Sequence, residues 1–393
     1  MRAIVAGAGI AGLVVARQLG LAGWEVDVVE KSTGPRPEGY MMDFFGPGVD
    51  ASTRIGLYPR LADVSYHVKS ADYVDTDGRV MARLDYERFS RAAGGRVLSL
   101  LRPDMEHAAI EALDDVPAGR VRIHYDAPVT GAWTDDDGAA VETGGSSLAR
   151  FDGDVLIGAD GIHSQVRALL FGPESDFLRP LGMRAAAYIC DAPDLHDRFG
   201  DRFVLTDSID RMAGMYGIRS SQVAAFLVYR DEATGGEPLT GTKDRLKQKF
   251  SGLGDATDRL LALCPEHPYD DVVAQIVMPT WRSYRALVIG DAASAVSLLA
   301  GQGGSLATAG GALLGDTLGP VASLAGITGA LAEFEHAWRP VAEAAQATGR
   351  RAAATFLPTN RRQRLVRRWI MRAAGLPPID RIVARQIVKR IAT

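Results

Sequence analysis

Glycines at positions 7, 9 and 12 stand between an apolar run, Ile4–Ala6, and a helical stretch, Ala11–Ala22, which leads to a second apolar run, Glu25–Glu30. No other feature narrows the fold of this chain so far. A Gly-x-Gly-x-x-Gly turn after a strand and before a helix is the dinucleotide fingerprint in its required context. The first glycine permits the tight turn, the second admits a pyrophosphate to the backbone, and the third lets helix and sheet pack closely. Ile10 and Ala11 open the helix, where free N–H groups and roughly half a positive charge from the macrodipole receive the phosphates. Glu30 closes the second strand 18 residues after Gly12, with Lys31 next to it. A carboxylate there accepts hydrogen bonds from a ribose and disfavours a 2′-phosphate, so the nucleotide is FAD or NAD rather than NADP.

Two segments resemble membrane or export signals. The first twenty residues carry one Arg and then an apolar run, but Gly7, Gly9 and Gly12 break that run and Arg17 follows it. Ala292–Gly315 is 24 residues without a charge, yet six are Gly, and Ser294, Ser297, Gln302, Ser305 and Thr308 add polar groups. A buried loop and helix suit that composition better than lipid. Cys190 and Cys264 lie 74 residues apart and offer neither a disulfide framework nor metal spacing, which suits a reducing cytoplasm. The net charge of −4 selects no nucleic-acid partner.

The rest of the chain reads as a nucleotide-binding body interrupted by a sheet. Arg102–Leu113 is a helix and Val121–Tyr125 a strand. Val129–Trp133 and Ala139–Thr143 flank the hairpin signal Asp137-Gly138, as Val74 and Val80 flank Asp77-Gly78. Asp154–Ile157 is a buried strand, followed by a helix from His163. The runs Ala185–Cys190, Arg202–Leu205, Met212–Ile218 and Val223–Tyr229 form an antiparallel sheet, and Ala286–Ile289 returns to the first type of strand. From Arg350 the chain holds twelve of its 44 basic residues and one of its 48 acids, so residues 1–349 carry −15. Apolar residues recur there at helical spacing: Leu365, Trp369 and Ile370, then Ile379, Ile382, Val383 and Ile387. That pattern suits helices packed on an acidic body or helices lying on an acidic membrane.

Two further motifs choose between FAD and NAD. Asp160-Gly161-Ile-His163-Ser164-x-x-Arg167 follows one strand. Gly290-Asp291-Ala-Ala follows another and leads into Gly301-Gln302-Gly303-Gly304-Ser305. In that order and spacing the sequence resembles the class A flavoprotein monooxygenases of the para-hydroxybenzoate hydroxylase fold, with tetracycline-inactivating and polyketide-tailoring hydroxylases most alike. The resemblance implies an α/β fold. A discontinuous Rossmann-like FAD-binding domain (1–66, 91–175 and 275–345) carries an inserted, mostly antiparallel substrate domain (67–90 and 176–274) and basic C-terminal helices (346–393). It places Asp160 and Gly161 beside the cofactor, Asp291 at the ribityl and pyrophosphate, Gly301–Ser305 at the flavin ring, and Arg102 against FAD. Relatives read Gly-Asp-Ala-Ala-His and then two prolines; here Ser294 replaces the His and Ser297-Leu298 the prolines.

By the same resemblance, NADPH or NADH docks transiently and reduces FAD. O2 then forms a flavin C4a-hydroperoxide that hydroxylates an aromatic or polyketide-like small molecule. The cofactor carries this chemistry, so no catalytic triad or metal set is expected, and no individual catalytic residue is assigned. His163 is expected to cap or flank its helix. The substrate is expected between flavin and sheet, against Met42 and Asp43 after the second strand, Tyr188, Phe203, Met215 and Tyr216 on the sheet, and Leu298 in the loop. A reductase or dehydrogenase of the same fold, and a non-catalytic FAD-containing binding protein, are the alternatives. The protein is expected to be a cytoplasmic monomer or homodimer without a membrane span or nucleic-acid partner.

Overall fold

The computed structural model describes residues 1–35, 39–92, 95–146, 148–231 and 241–374. The fingerprint strand lies inside a six-stranded sheet in the order Arg282–Ser283, Ala286–Val288, Val155–Gly158, Arg2–Ala6, Glu25–Val29, Val121–His124. All pairings are parallel except the first. A parallel sheet is covered on both faces, so its strands read as continuous apolar runs; Ile4, Val28, Leu156 and Leu287 are fully buried. Asp27 interrupts its run and meets Nε2 of His124 across the neighbouring strand at 2.9 Å. Helix Ile10–Leu21 and the antiparallel sheet Val129–Thr134, Ala139–Thr143, Ala149–Gly153 join the same core through Leu13, Leu19, Ala132 and Val141.

Parallel strands end at one edge. The turns after Arg2–Ala6, Glu25–Val29, Val155–Gly158 and Ala286–Val288 therefore bring Gly7, Glu30, Asp160 and Asp291 to one side of the sheet. Ligands bind in this crevice of open α/β sheets. A short antiparallel pair, Met41–Phe44 with Leu98–Leu101, leads into helix Arg102–Glu111.

The second sheet has seven strands, in the order Tyr269–Ile276, Leu178–Asp191, Gln222–Arg230, Arg211–Ile218, Arg202–Ser208, Ser70–Val74, Val80–Asp85. One face packs on Leu246, Phe250, Leu260 and Leu195 from helices Thr242–Phe250, Asp255–Ala262 and Pro193–Phe199. The other face meets Leu298, Leu299 and Phe356. Helix Leu324–Phe356, 33 residues and about 50 Å long, reaches from the first core at Ile327, Leu331 and Phe334 to the second sheet at Ala353. No helix among the described residues is long and apolar enough to cross a membrane.

Strand Tyr269–Ile276 and the pair Met41–Phe44 and Leu98–Leu101 were not apparent from the sequence. Pro265, Pro268 and the doublet Asp270-Asp271 disguise the first. The expected helix from His163 begins at Gln165. Of the basic tail, helix Arg361–Ala374 is described; the run from Ile379 to Ile387 lies outside the described residues.

Candidate functional site: the cofactor crevice

Sterics fix two of the three fingerprint glycines. Gly7 has φ +104°, and a Cβ there would lie 2.4 Å from the Ala159 carbonyl oxygen. A Cβ at Gly12 would lie 2.0 Å from the Gly7 carbonyl oxygen. At Gly9 the nearest atom would be 3.8 Å away, so that side of the turn is open. Gly7 and Gly9, with Ile10 and Ala11, line a cavity of about 370 Å³ that Glu30 and Lys31 also line. Gly12 stays behind it as a packing residue. The buried Glu30 carboxylate accepts from Ala8 N at 2.8 Å and from the N–H and hydroxyl of Ser32 at 3.0 and 2.8 Å. It is thereby held at the end of its strand.

Asp160 and Gly161 line the same cavity. The Asp160 carboxylate accepts from the Ser164 hydroxyl and from the N–H groups of Gln165 (2.7 Å) and Val166 (3.1 Å), which ties the turn to the next helix. Burial raises its pKa, against those hydrogen bonds. Fully buried Arg167 donates to Ile162 O at 2.7 Å and Ala292 O at 2.9 Å, joining this turn to the one that carries Asp291. Asp291 lines the cavity with its pKa raised by burial, and Arg102 opposes that shift. Gly290, with φ +59°, adopts the turn that precedes it. Arg102, also in the lining, pairs with Glu106 at 2.8 Å.

Gly301, Gly303, Gly304 and Leu298 line the same cavity. A Cβ at Gly304 would meet Met42 Sδ at 2.5 Å, so Met42, also in the lining, packs directly on the start of helix Gly303–Leu318. Ser305 is turned away; its hydroxyl accepts from Phe45 N at 3.2 Å. Ser297 has φ +87°, which a proline ring cannot adopt, and its hydroxyl accepts from Leu299 N at 3.3 Å. Of the two proline positions seen in relatives, the backbone here therefore excludes the first. The loop is held by two buried amides. Gln275 Nε2 donates to Val296 O at 3.0 Å and to Gln346 O at 2.8 Å, and Gln346 Nε2 donates to Ile276 O at 2.6 Å and Ala295 O at 3.2 Å.

The residues expected at the substrate divide by sheet face. Met215 and Tyr216 are neighbours on one strand, so alternation sends them to opposite sides. Tyr216 stacks on Phe203, 5.0 Å between ring centroids, on the side that packs on Leu101 and Met41, and its oxygen accepts from Met41 N. Met215 and Tyr188 face the helices that cover the far side, in the cluster with Leu246 and Phe250. Neither they nor Phe203 and Tyr216 line the cavity. Asp43, also outside the lining, accepts from Tyr86 Oη at 2.7 Å and Ser99 Oγ at 3.0 Å, and burial raises its pKa against those bonds.

Tyr269, Asp271 and the side chain of His163 join the lining without having been singled out for it. Tyr269 and Asp271 are two apart on one strand and so share a face, a pairing that required the strand to be recognised first. Tyr40 lies 6.4 Å from Tyr269 and 5.3 Å from Phe226 between ring centroids. Burial pushes the Tyr40 hydroxyl up to about 12 and the Tyr269 hydroxyl well above its ordinary value. His163, expected to cap or flank its helix, stands directly before the cap residue; the cap is Ser164, whose Oγ accepts from Arg167 N at 3.0 Å. His163 bridges Glu174 through Nδ1 at 3.0 Å and Asp271 through Nε2 at 3.1 Å, and hydrogen bonds to both raise its pKa to about 9. Among the described residues no His, Cys, Asp and Glu group has the arrangement to hold a metal.

A flavin dinucleotide fits this donor set. The turn at Gly9 leaves room beside its backbone, a fixed carboxylate, Glu30, closes the next strand, and a second glycine turn in the same lining opens a 16-residue helix. The comparisons agree. The model of the FAD binding domain matches residues 1–348. The chain belongs to this FAD-binding family. An uncharacterised protein of Mycobacterium tuberculosis is 33% identical over 80% of this chain and 84% of its own. A flavin-dependent monooxygenase from an unidentified prokaryote is 27% identical over 90% of each. The tetracycline destructase Tet(55) shares the fold, with a TM-score of 0.79 and 24% identity over 99% of this chain and 96% of its own.

Proposed function

We propose that this flavin monooxygenase hydroxylates an aromatic or polyketide-like small molecule, using NADPH or NADH as reductant and O2 as oxidant. The observation that carries the substrate class is the cavity lining around the glycine loop: Tyr40, Tyr269 and Met42 supply an apolar, aromatic surface, and Arg102, paired with Glu106, adds a cation. Such a lining suits a flat ring that bears an ionisable oxygen. The shared fold with a tetracycline destructase, named for a polycyclic substrate, supports the same class.

Bound FAD accepts a hydride and activates O2. The chain's residues do the rest. The backbone amides that open helix Gly303–Leu318 would stabilise negative charge on the reduced ring, in the manner of an oxyanion hole. Glu30 receives the adenosine ribose, and the open side of Gly9 receives the pyrophosphate. Tyr40 and Tyr269 keep their hydroxyl protons at neutral pH and donate hydrogen bonds to a substrate oxygen. Met42 and Leu298 exclude water from the reacting centre. In this reading residues 1–66, 91–175 and 275–345 form the FAD-binding unit, and 67–90 and 176–274 the substrate unit. The enzyme works in the cytoplasm as a monomer or homodimer.

Anaerobic stopped flow with NADPH and NADH, with and without a panel of phenols and aromatic polyketides, tests the proposal. Faster flavin reduction in the presence of one of these ligands is the expected result. Absence of reduction by either nicotinamide under every condition would favour a binding protein and contradict the proposal.

A further inference from the structure

Helix Arg361–Ala374 meets the rest of the protein through its charged side. Arg364 donates to the Asp207 carbonyl at 2.6 Å and to the Asp207 carboxylate at 3.3 Å. Arg368 lies 3.9 Å from the same carboxylate, and Asp207 is buried. Arg367 donates to the Phe356 carbonyl and stands 5.8 Å from the centroid of the Tyr73 ring. The opposite side is apolar. Leu365 and Val366 are each 56% exposed and Trp369 is 71% exposed. At 3.6 residues per turn these three span about 100° of the helix, with exposed Arg362 inside that arc and exposed Arg361 at its margin. A surface helix ordinarily buries its apolar stripe and shows its charges to water. Here the arrangement is reversed, and the stripe is left without a partner among the described residues.

We propose that this outward face docks on an anionic lipid surface. Charge complementarity selects the occupant. Residues 350–393 carry twelve Lys and Arg against one acid, Asp380, while the rest of the chain carries −15. An anionic surface thus attracts this end of the molecule and repels the remainder, which also orients it. A tryptophan among aliphatic residues, bordered by arginines, matches the boundary between headgroups and acyl chains. A second copy fits less well. Two-fold pairing through this face brings Arg361 and Arg362 of both copies into one seam without an acid of the helix to offset them, and docking on another copy's acidic flank is head-to-tail and does not close. A nucleic acid would leave Leu365, Val366 and Trp369 facing phosphates.

Co-sedimentation of the full-length, FAD-loaded protein with vesicles tests the proposal, using phosphatidylcholine alone and phosphatidylcholine with phosphatidylglycerol, at low and high salt. Binding to the anionic vesicles only, weakened by salt, is expected. The double variant Leu365→Glu/Trp369→Glu should lose binding by about tenfold or more, and each charge removed in Arg361→Gln/Arg362→Gln should cost about fivefold. Flavin absorbance and melting temperature should be unchanged in both, since the altered side chains point outward. Four results would overturn the proposal. They are no binding to anionic vesicles, undiminished binding by the Leu365→Glu/Trp369→Glu variant, a dimer in light scattering that this variant abolishes, and retention on duplex DNA that this variant leaves intact.

Discussion

At the scale of the residue, the three fingerprint glycines are required for different reasons. Gly7 and Gly12 exclude a Cβ by contact with backbone, whereas Gly9 excludes nothing of the protein itself. Gly12→Val should therefore prevent folding. Gly9→Val should fold with a wild-type melting temperature in the FAD-free form and weaken FAD by about 1.4–2.8 kcal/mol, ten- to a hundredfold in Kd, through the ligand it crowds. Equal losses of stability in both variants would contradict this separation. The fingerprint was legible because its spacing is local and each glycine serves one turn. Ser305 was not. From position alone it belongs to the flavin loop, but one turn of helix points its hydroxyl at Phe45 N instead. Arg167 illustrates the reverse, a residue visible within its motif whose task, tying two cofactor turns together, needs the Ala292 and Ile162 carbonyls to be in place.

At the scale of the element, strands of the second sheet were legible as strands, but the face that looks toward the crevice was not. Apolar residues occupy both sides of a sheet buried on both sides, so period-2 alternation carries no polarity signal there. Tyr188 and Met215 were expected beside Phe203 and Tyr216 for that reason, and the helices over 193–199 and 242–262 decide otherwise. Two substitutions separate the roles. Met215→Ala should cost about 2–5 kcal/mol of stability and leave substrate KM unchanged, as for a cavity in a closed core. Leu298→Ala, on the cavity wall, should raise KM about tenfold with a smaller loss of stability. A KM effect from Met215→Ala would place substrate on the wrong side of the sheet.

At the scale of the molecule, polar contacts tie the second sheet to the rest of the protein beside the crevice. Gln275 and Gln346 fasten the loop at Ala295 and Val296 between the second sheet and the long helix. His163 joins Glu174 to Asp271 of the second sheet. Its pKa is raised from 6.5 to about 9, so the stability it contributes is complete below pH 6.5 and is lost as pH rises through 9. Melting temperature should fall over that interval in the wild type and fall less in His163→Gln. Parallel curves would show that the bridge contributes nothing. None of these ties is readable from spacing, because each joins residues far apart in the chain.

The central claim is that this crevice holds a flavin which delivers oxygen to a bound ring. The most direct measurement uses the ligand found to accelerate flavin reduction. It is incubated with enzyme, reduced nicotinamide and isotopically labelled O2, and the product is analysed by mass spectrometry. One labelled oxygen atom per product molecule, with one nicotinamide consumed for each, is the predicted result. An unlabelled, reduced product would contradict the claim and identify a reductase, and labelled peroxide without any product would deny that the bound ring is the acceptor.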